Sequence, residues 1–224
     1  RYLLDFYADG NYEHMVYPGM VYISQPTEYG TLYSKQEMSA ISAVCREYHI
    51  PLYVDGARLA YALACKENDV TLADLATLCD AFYIGGTKCG VLFGEAVVIP
   101  DPKRSPHFFT IMKQHGALLA KGRLLGIQFE TLFTDDLYLH IGENAIRAAD
   151  TIRAFLASHG YEQYFTAPTN QIFIVLDNTR YAELSKKITF GFWEKKDDSH
   201  TVVRIATDWA TTPENVEKLL QALA

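Results

Sequence analysis

The chain has no CxxC pair, and its four cysteines, Cys45, Cys65, Cys79 and Cys89, are scattered singly. Such spacing builds neither a disulfide scaffold nor a zinc knuckle. A reduced, cytoplasmic protein is the expectation. Long apolar runs are also missing: the longest are a few residues, far below the roughly 18 that span a bilayer. No membrane association is expected, and the opening RYLLDFYADG shows no basic, apolar and small-residue leader. Positive charge is in short supply, with 20 Lys and Arg against 27 Asp and Glu, a net −7. That sign repels phosphate backbones and removes nucleic acid as an expected partner. His49, His107, His115, His140, His159 and His200 lack ligand spacing such as HxxxH, so no metal is expected. Repeats, low-complexity tracts and Ser/Gly linkers are absent. What remains is ordinary globular usage, 49% apolar and 21% charged over 224 residues. This excludes disordered and fibrous classes and allows one large domain or two modest ones.

Strand and helix signals alternate along the first hundred residues. Residues 20–24 (MVYIS) read as a short buried strand between Gly19 and Gln25-Pro26. Ser34 with Glu37 three residues on forms a capping box for a helix over 34–49, ended by Pro51. Leu52-Tyr53-Val54 is a second strand running into Asp55-Gly56-Ala57-Arg58. Helical signal resumes at 58–65 and, capped by Thr71, around 72–77. Residues 81–84 and 97–99 supply two more strands. The alternation predicts an α/β sheet with parallel neighbours, covered on both faces. From Pro106 to His159 the period is helical, with breaks near Gly122–Gly126 and Thr134–Asp136 and a cap at His159-Gly160. Strands at 171–176 and 202–206 and a helix at 212–223 then predict a second, smaller unit. Tyr17, Tyr22, Tyr29 and Tyr33 are expected to pack on the core or an interface. Residues 194–198 are expected to form a solvated turn.

Two residues stand where chemistry is done. Asp55 ends an apolar strand, and ligand crevices of open α/β sheets lie at the carboxyl ends of strands. It is read either as a site carboxylate or as the cap of the following helix. Lys88 follows the next strand in Gly85-Gly86-Thr87-Lys88, where glycines let the backbone approach a ligand. It is read either as an imine-forming amine of lowered pKa or as a solvated turn lysine. Together, an acid for a pyridinium nitrogen and a lysine for an imine are the protein partners that pyridoxal phosphate needs.

The stretch Leu52-Tyr53-Val54-Asp55-Gly56-Ala57-Arg58, with Gly86-Thr87-Lys88 about thirty residues later, resembles the threonine aldolases and related β-eliminating lyases. These are pyridoxal-phosphate enzymes of the aspartate-aminotransferase-like fold. Ser24 to Thr31, Gly122-Arg123-Leu124-Leu125-Gly126-Ile127, Pro168-Thr169-Asn170 and Arg204 are similar to further elements of that family. Cys89-Gly90-Val91 after the lysine departs from the family's usual Gly-Leu-Gly. The resemblance implies that Lys88 holds the cofactor in imine linkage, with Asp55 keeping the pyridine nitrogen protonated. It implies Thr87 as a cofactor contact, Arg58 and Arg204 as the grip on the substrate carboxylate, and Arg123 as a phosphate contact across a subunit interface. Read without the family, Arg58 could be a surface residue and Arg123 could pair with Glu130.

The implied fold is the C-terminal portion of the large mixed-sheet domain over residues 1–125, followed by a small α+β domain with its connecting helix over 126–224. The implied function is a carbon–carbon lyase cleaving a β-hydroxy-α-amino acid such as threonine to glycine and an aldehyde, in a homodimer or homotetramer. Another fold-type-I lyase or aminotransferase shares Asp55 and Lys88, and a silent fragment or binding module is the reading from a different class. Complete family members carry a long segment before the position of Arg1, with the phosphate-binding turn and the ring-stacking residue. The expectation from this is weak cofactor binding by residues 1–224 alone.

Overall fold

The computed structural model describes all 224 residues. After a short helix α1 (Tyr2–Ala8), the chain lays down β1 (Val21–Ser24), α2 (Lys35–Glu47), β2 (Leu52–Gly56), α3 (Leu59–Leu63), α4 (Leu72–Leu78), β3 (Ala81–Ile84) and β4 (Ala96–Val98). The strands form one sheet in the order β1-β2-β3-β4, the first three parallel and β4 antiparallel to β3. Both capping boxes form: Ser34 accepts from Glu37 N–H, Thr71 accepts from Asp74 N–H, and each acid bonds back to its cap. Two orphan donors are satisfied at each helix start, and so the helices begin where the sequence says.

Side-chain alternation divides the sheet into two unlike faces. Leu52, Val54, Phe82 and Ile84 turn inward with Met38 and Cys45 of α2 and Leu59 and Leu75 of α3 and α4. The opposite face carries Tyr22, Tyr53, Asp55 and Tyr83, with Tyr22 stacked on Tyr53 at 5.5 Å. Here the structure corrects two expectations. β1 is an edge strand rather than a buried one, with Tyr22 57% exposed, and the tyrosine face is not covered as the core face is. Tyrosine and aspartate tolerate that partial wetting because each carries a polar tip.

Beyond β4 come α5 (Phe108–Gln114), α6 (Arg123–Phe133), α7 (Leu137–His140) and α8 (Glu143–Ser158). The helical break lies at residues 115–122, not at Gly122–Gly126; Gly126 sits within α6, where a single glycine costs only about 1 kcal/mol. Asp135 and Asp136 make the second break with left-handed φ of 52° and 56°. Gly160, at φ +73°, closes α8 as Tyr161 N–H reaches back to Leu156 O at 3.0 Å. The second sheet follows, built from β5 (Glu162–Gln163), β6 (Gln171–Asp177), β7 (Gly191–Lys195) and β8 (His200–Ala206) in the antiparallel order β5-β6-β8-β7. The helix α9 (Asn178–Leu184) joins β6 to β7, and α10 (Pro213–Leu223) closes the chain. Ala149, Ile152 and Leu156 of α8 pack on Ile172, Ile174, Val203 and Ile205 with Val216 and Leu223. Glu194 and Lys195 belong to β7, so the expected solvated turn begins only after them.

The β2 and β3 ends approach so closely that Gly85 has no room for a side chain. A Cβ there would lie 2.5 Å from Ala57 O and 2.6 Å from Gly56 O. Gly85→Ala is therefore expected to destabilise the fold by about 1–3 kcal/mol, the usual cost of overpacking. Urea denaturation reads this directly, and an unchanged midpoint would show that the strand ends separate freely.

Candidate active site

Asp55 ends β2 on the tyrosine face. Its Oδ1 accepts the Ala57 N–H at 2.8 Å and its Oδ2 accepts the Tyr22 hydroxyl. The Tyr83 hydroxyl, from the residue in register with Asp55 on β3, is also directed at the carboxylate. The Ala57 bond is a local Asx turn rather than a helix cap; the residue capping α3 is Arg58, without a side-chain bond. Burial pushes the Asp55 carboxyl upward, but the bonds from Tyr22 and Ala57, with the nearby Tyr83 hydroxyl and the charge of Lys88, outweigh it and hold the group below the ordinary carboxylate range. The reciprocal effect raises Tyr22 to about 12, chiefly through its bond to Asp55. Asp55 is thus an anion across the physiological range.

Lys88 lies on the short 3-10 turn Thr87–Cys89 that follows β3 and Gly85-Gly86. Four bonds fix that turn. The buried Tyr138 hydroxyl donates to Gly85 O at 3.0 Å, and the buried Tyr61 hydroxyl donates to Lys88 O. The Glu95 carboxylate accepts the Gly86 N–H, and through Oε1 the Thr87 hydroxyl at 2.7 Å. Lys88 itself is exposed at the turn and makes no ion pair. Partial desolvation and the nearby Arg58 charge lower its pKa, opposed by Glu28, Asp55 and Glu95. Cys89 next to it is buried, with Sγ 3.4 Å from Gly85 O and Gly86 O, and burial pushes its thiol up to about 12.

The arginines differ in their surroundings. Arg58 is 14% exposed, with Nη1 3.5 Å from Glu28 Oε2. Arg204 on β8 has no carboxylate partner; it donates to Gln171 Oε1 at 3.1 Å and lies 5.4 Å over the Trp193 ring. Gln171, fully buried, also donates to Glu28 O at 3.1 Å. Both arginines are therefore linked through the β1–α2 loop that carries Glu28. Arg123 opens α6, exposed and without an ion pair, so its expected alternative pairing with Glu130 does not form. Tyr22, Tyr83, Glu28, Glu95 and Gln171 escaped sequence reasoning. Period-2 alternation through Tyr22, Tyr53, Asp55 and Tyr83 is the signal that could have found the tyrosines.

An ionised carboxylate and an unpaired amine at neighbouring strand ends match the pyridine nitrogen and aldehyde of pyridoxal phosphate, and the residues present fit that cofactor. For its phosphate the neighbourhood offers less, because the Gly86 N–H and Thr87 O–H already serve Glu95. The fold is shared with threonine aldolase of Leishmania major, at a TM-score of 0.89 and 44% identity over 94% of this chain and 62% of that one. It is also shared, at 0.64 and 15% identity, with a Thermus thermophilus aspartate aminotransferase double mutant, which covers 94% of this chain and 58% of that one. The sheet and its strand-end crevice are those of the aspartate-aminotransferase-like fold. The description of the β-eliminating lyase family matches residues 5–159, and the chain belongs to that family. A low-specificity L-threonine aldolase of a Pseudomonas species is 32% identical over 179 residues, covering 78% of this chain and 51% of the relative. Its Pseudomonas aeruginosa counterpart is 33% identical over 168 residues, 73% and 47%. The chain thus spans about half the length of the curated relatives it matches.

Removing the Tyr83 hydroxyl tests the electrostatics of Asp55. A native carboxyl depressed below its unfolded value of about 3.9 adds stability above that pH and loses it as pH falls through the native value. In Tyr83→Phe the Asp55 carboxyl is expected to titrate at higher pH, narrowing that acid window. Carboxyl-carbon NMR titration measures it, and an unmoved Asp55 midpoint would remove Tyr83 from the brace.

Proposed function

We propose that the whole protein is a pyridoxal-phosphate-dependent carbon–carbon lyase that cleaves a β-hydroxy-α-amino acid such as threonine to glycine and an aldehyde. The observation that carries this reading is the placement of anionic Asp55 and the Lys88 amine at adjacent strand ends, beside an Arg204 that no carboxylate satisfies. Lys88 would hold the cofactor through its amine. Asp55, already anionic, would hold a proton at the cofactor's pyridine nitrogen. When bound, the cofactor supplies an electron sink for the charge left by carbon–carbon cleavage. Arg204 offers a planar fork that binds a carboxylate bidentately where lysine cannot. Arg58 flanks the same crevice, its charge partly offset by Glu28. Gripping the carboxylate fixes which bond at Cα stands across the ring, and so which bond breaks.

Thr87 is proposed as a cofactor contact through its lone pairs, since its proton goes to Glu95. Arg123, exposed at the head of α6, is proposed to reach the phosphate of a neighbouring subunit in a homodimer or homotetramer. Residues 1–125 are proposed as the C-terminal portion of the cofactor domain. Residues 126–224 are then the small domain with its connecting helix, whose Leu132 joins the first core. No helix is long and apolar enough to cross a membrane. Four buried free cysteines support a cytoplasmic setting.

Two outcomes test this reading. The natural full chain should release glycine and acetaldehyde from threonine, and Lys88→Ala should abolish both this and the borohydride-reducible cofactor link. Peptide mapping of the reduced label to Lys103, Lys113 or Lys121 would displace Lys88. Arg204→Lys should raise KM for the amino acid by about tenfold or more, the scale of losing one charge-assisted hydrogen bond, with little change in cofactor affinity or Tm. A Tm loss with KM unchanged would make Arg204 structural.

A further inference from the structure

The turn that carries Lys88 is held on two sides by different means. On the inner side Tyr138 and Tyr61, both buried, bond to the carbonyls of Gly85 and Lys88. Those bonds set the depth of the backbone but do not touch Gly86 or Thr87, the two residues before the lysine. From the inner side the Cys89 thiol reaches only the Gly86 carbonyl, at 3.4 Å, whereas the Gly86 N–H and the Thr87 hydroxyl are both taken by Glu95, seven positions beyond Lys88 at the entrance to β4. One carboxylate oxygen accepts the Gly86 N–H and the other the Thr87 hydroxyl. A two-point, charge-assisted grip of this kind restrains orientation as well as position. Glu95 makes no ion pair with any lysine or arginine, so those two donors are its partners.

We propose that Glu95 is a positioning residue for Lys88: its carboxylate clamps Gly86 and Thr87 and so fixes the direction in which the lysine amine enters the crevice. The proposal rests on Lys88 being the amine that holds the cofactor. Rotation of the peptide at Thr87 would swing a long, flexible side chain away from Asp55, and misplacement by about 1 Å costs heavily when a covalent bond must form. The charge of Glu95 adds a second, separable effect. The groups facing the Lys88 amine are Arg58, which favours the neutral amine, and Glu28, Asp55 and Glu95, which favour the ammonium. Loss of the Glu95 charge therefore moves Lys88 titration to lower pH.

Glu95→Asp and Glu95→Gln separate grip from charge, since Asp keeps the charge but is too short to span both donors, and Gln keeps the length but has one acceptor. In the natural full chain stripped of cofactor, both variants are expected to take up pyridoxal phosphate about tenfold more slowly than the parent, read by the rise of the visible band. Labelling of Lys88 in the cofactor-free protein by acetic anhydride across a pH series, followed by peptide mass mapping, should show its half-point lowered in Gln alone. Parent-like uptake rates in both variants overturn the clamp, even where Tm falls, because a purely structural role moves Tm alone. Uptake slowed only in Gln also overturns it, since the effect then follows charge rather than grip. Borohydride mapping of the parent guards the premise: a label on another lysine defeats the reading of Lys88 and this proposal with it. A label on Lys88 with unchanged uptake defeats the clamp only.

Discussion

The register of three short parallel strands is the constraint on which the rest depends. β1, β2 and β3 end abreast, so Ser24, Asp55 and Tyr83 meet across the sheet and Gly56 stands opposite Ile84. A slip of one residue between β2 and β3 would turn Asp55 into the core among Phe82 and Ile84 and bring Val54 to the crevice. The buried face forbids the slip, because Leu52 and Val54 have nowhere else to go. Gly56 and Gly85 tighten the same junction. A Cβ on Gly56 would stand 2.1 Å from Tyr83 O. The glycines of the two motifs thus set the spacing between carboxylate and amine as well as freeing the backbone.

Much of this could be read from residue order. Capping boxes at Ser34 and Thr71 are local: four residues carry both the donors and the acceptors, and the helices form where those residues stand. Asp55 and Lys88 were legible because strand ends are punctuated by glycine in both cases. The contacts that tune them were not. Tyr22 lies 33 residues from Asp55, and Gln171 lies 143 residues from Glu28. Nothing in either segment announces a partner at that distance. Glu95 was hidden for a different reason, since an acid before a short strand reads as a solvated loop. The strand β7 and helix α9 were passed over because Gly191–Lys195 alternates weakly, with Phe192 outward and two charged residues at its end, and α9 is only seven residues long.

The two sheets meet through few but well-placed bonds. Thr169 donates to Gly30 O at 2.8 Å, and Gly30 holds φ +75° with no space for a side chain facing Thr169. Two residues on, Gln171 joins the Arg204 guanidinium to the Glu28 carbonyl. One loop, residues 25–31, therefore helps register the second sheet against the first, beside the buried cluster of Tyr61, Cys65, Ala145 and Ile146. Tyr29 of the same loop packs against Phe165, Phe173 and Trp193, so the loop joins the Arg204 side of the molecule to the first sheet by side-chain packing as well as by hydrogen bonds.

Cys89 illustrates how neighbours in sequence can be kept apart in reactivity. On the proposed reading of Lys88, an amine that captures an aldehyde stands one residue from a sulfur that, as thiolate, would attack the same carbonyl and also invite oxidation. Turning the side chain inward against two glycine carbonyls keeps the sulfur protonated far above neutral pH. The 3-10 turn thereby gives adjacent residues opposite exposures, Lys88 to solvent and Cys89 to the core. Which of the two nucleophiles meets solvent is a property of backbone geometry: the sulfur is present in the chain but faces inward.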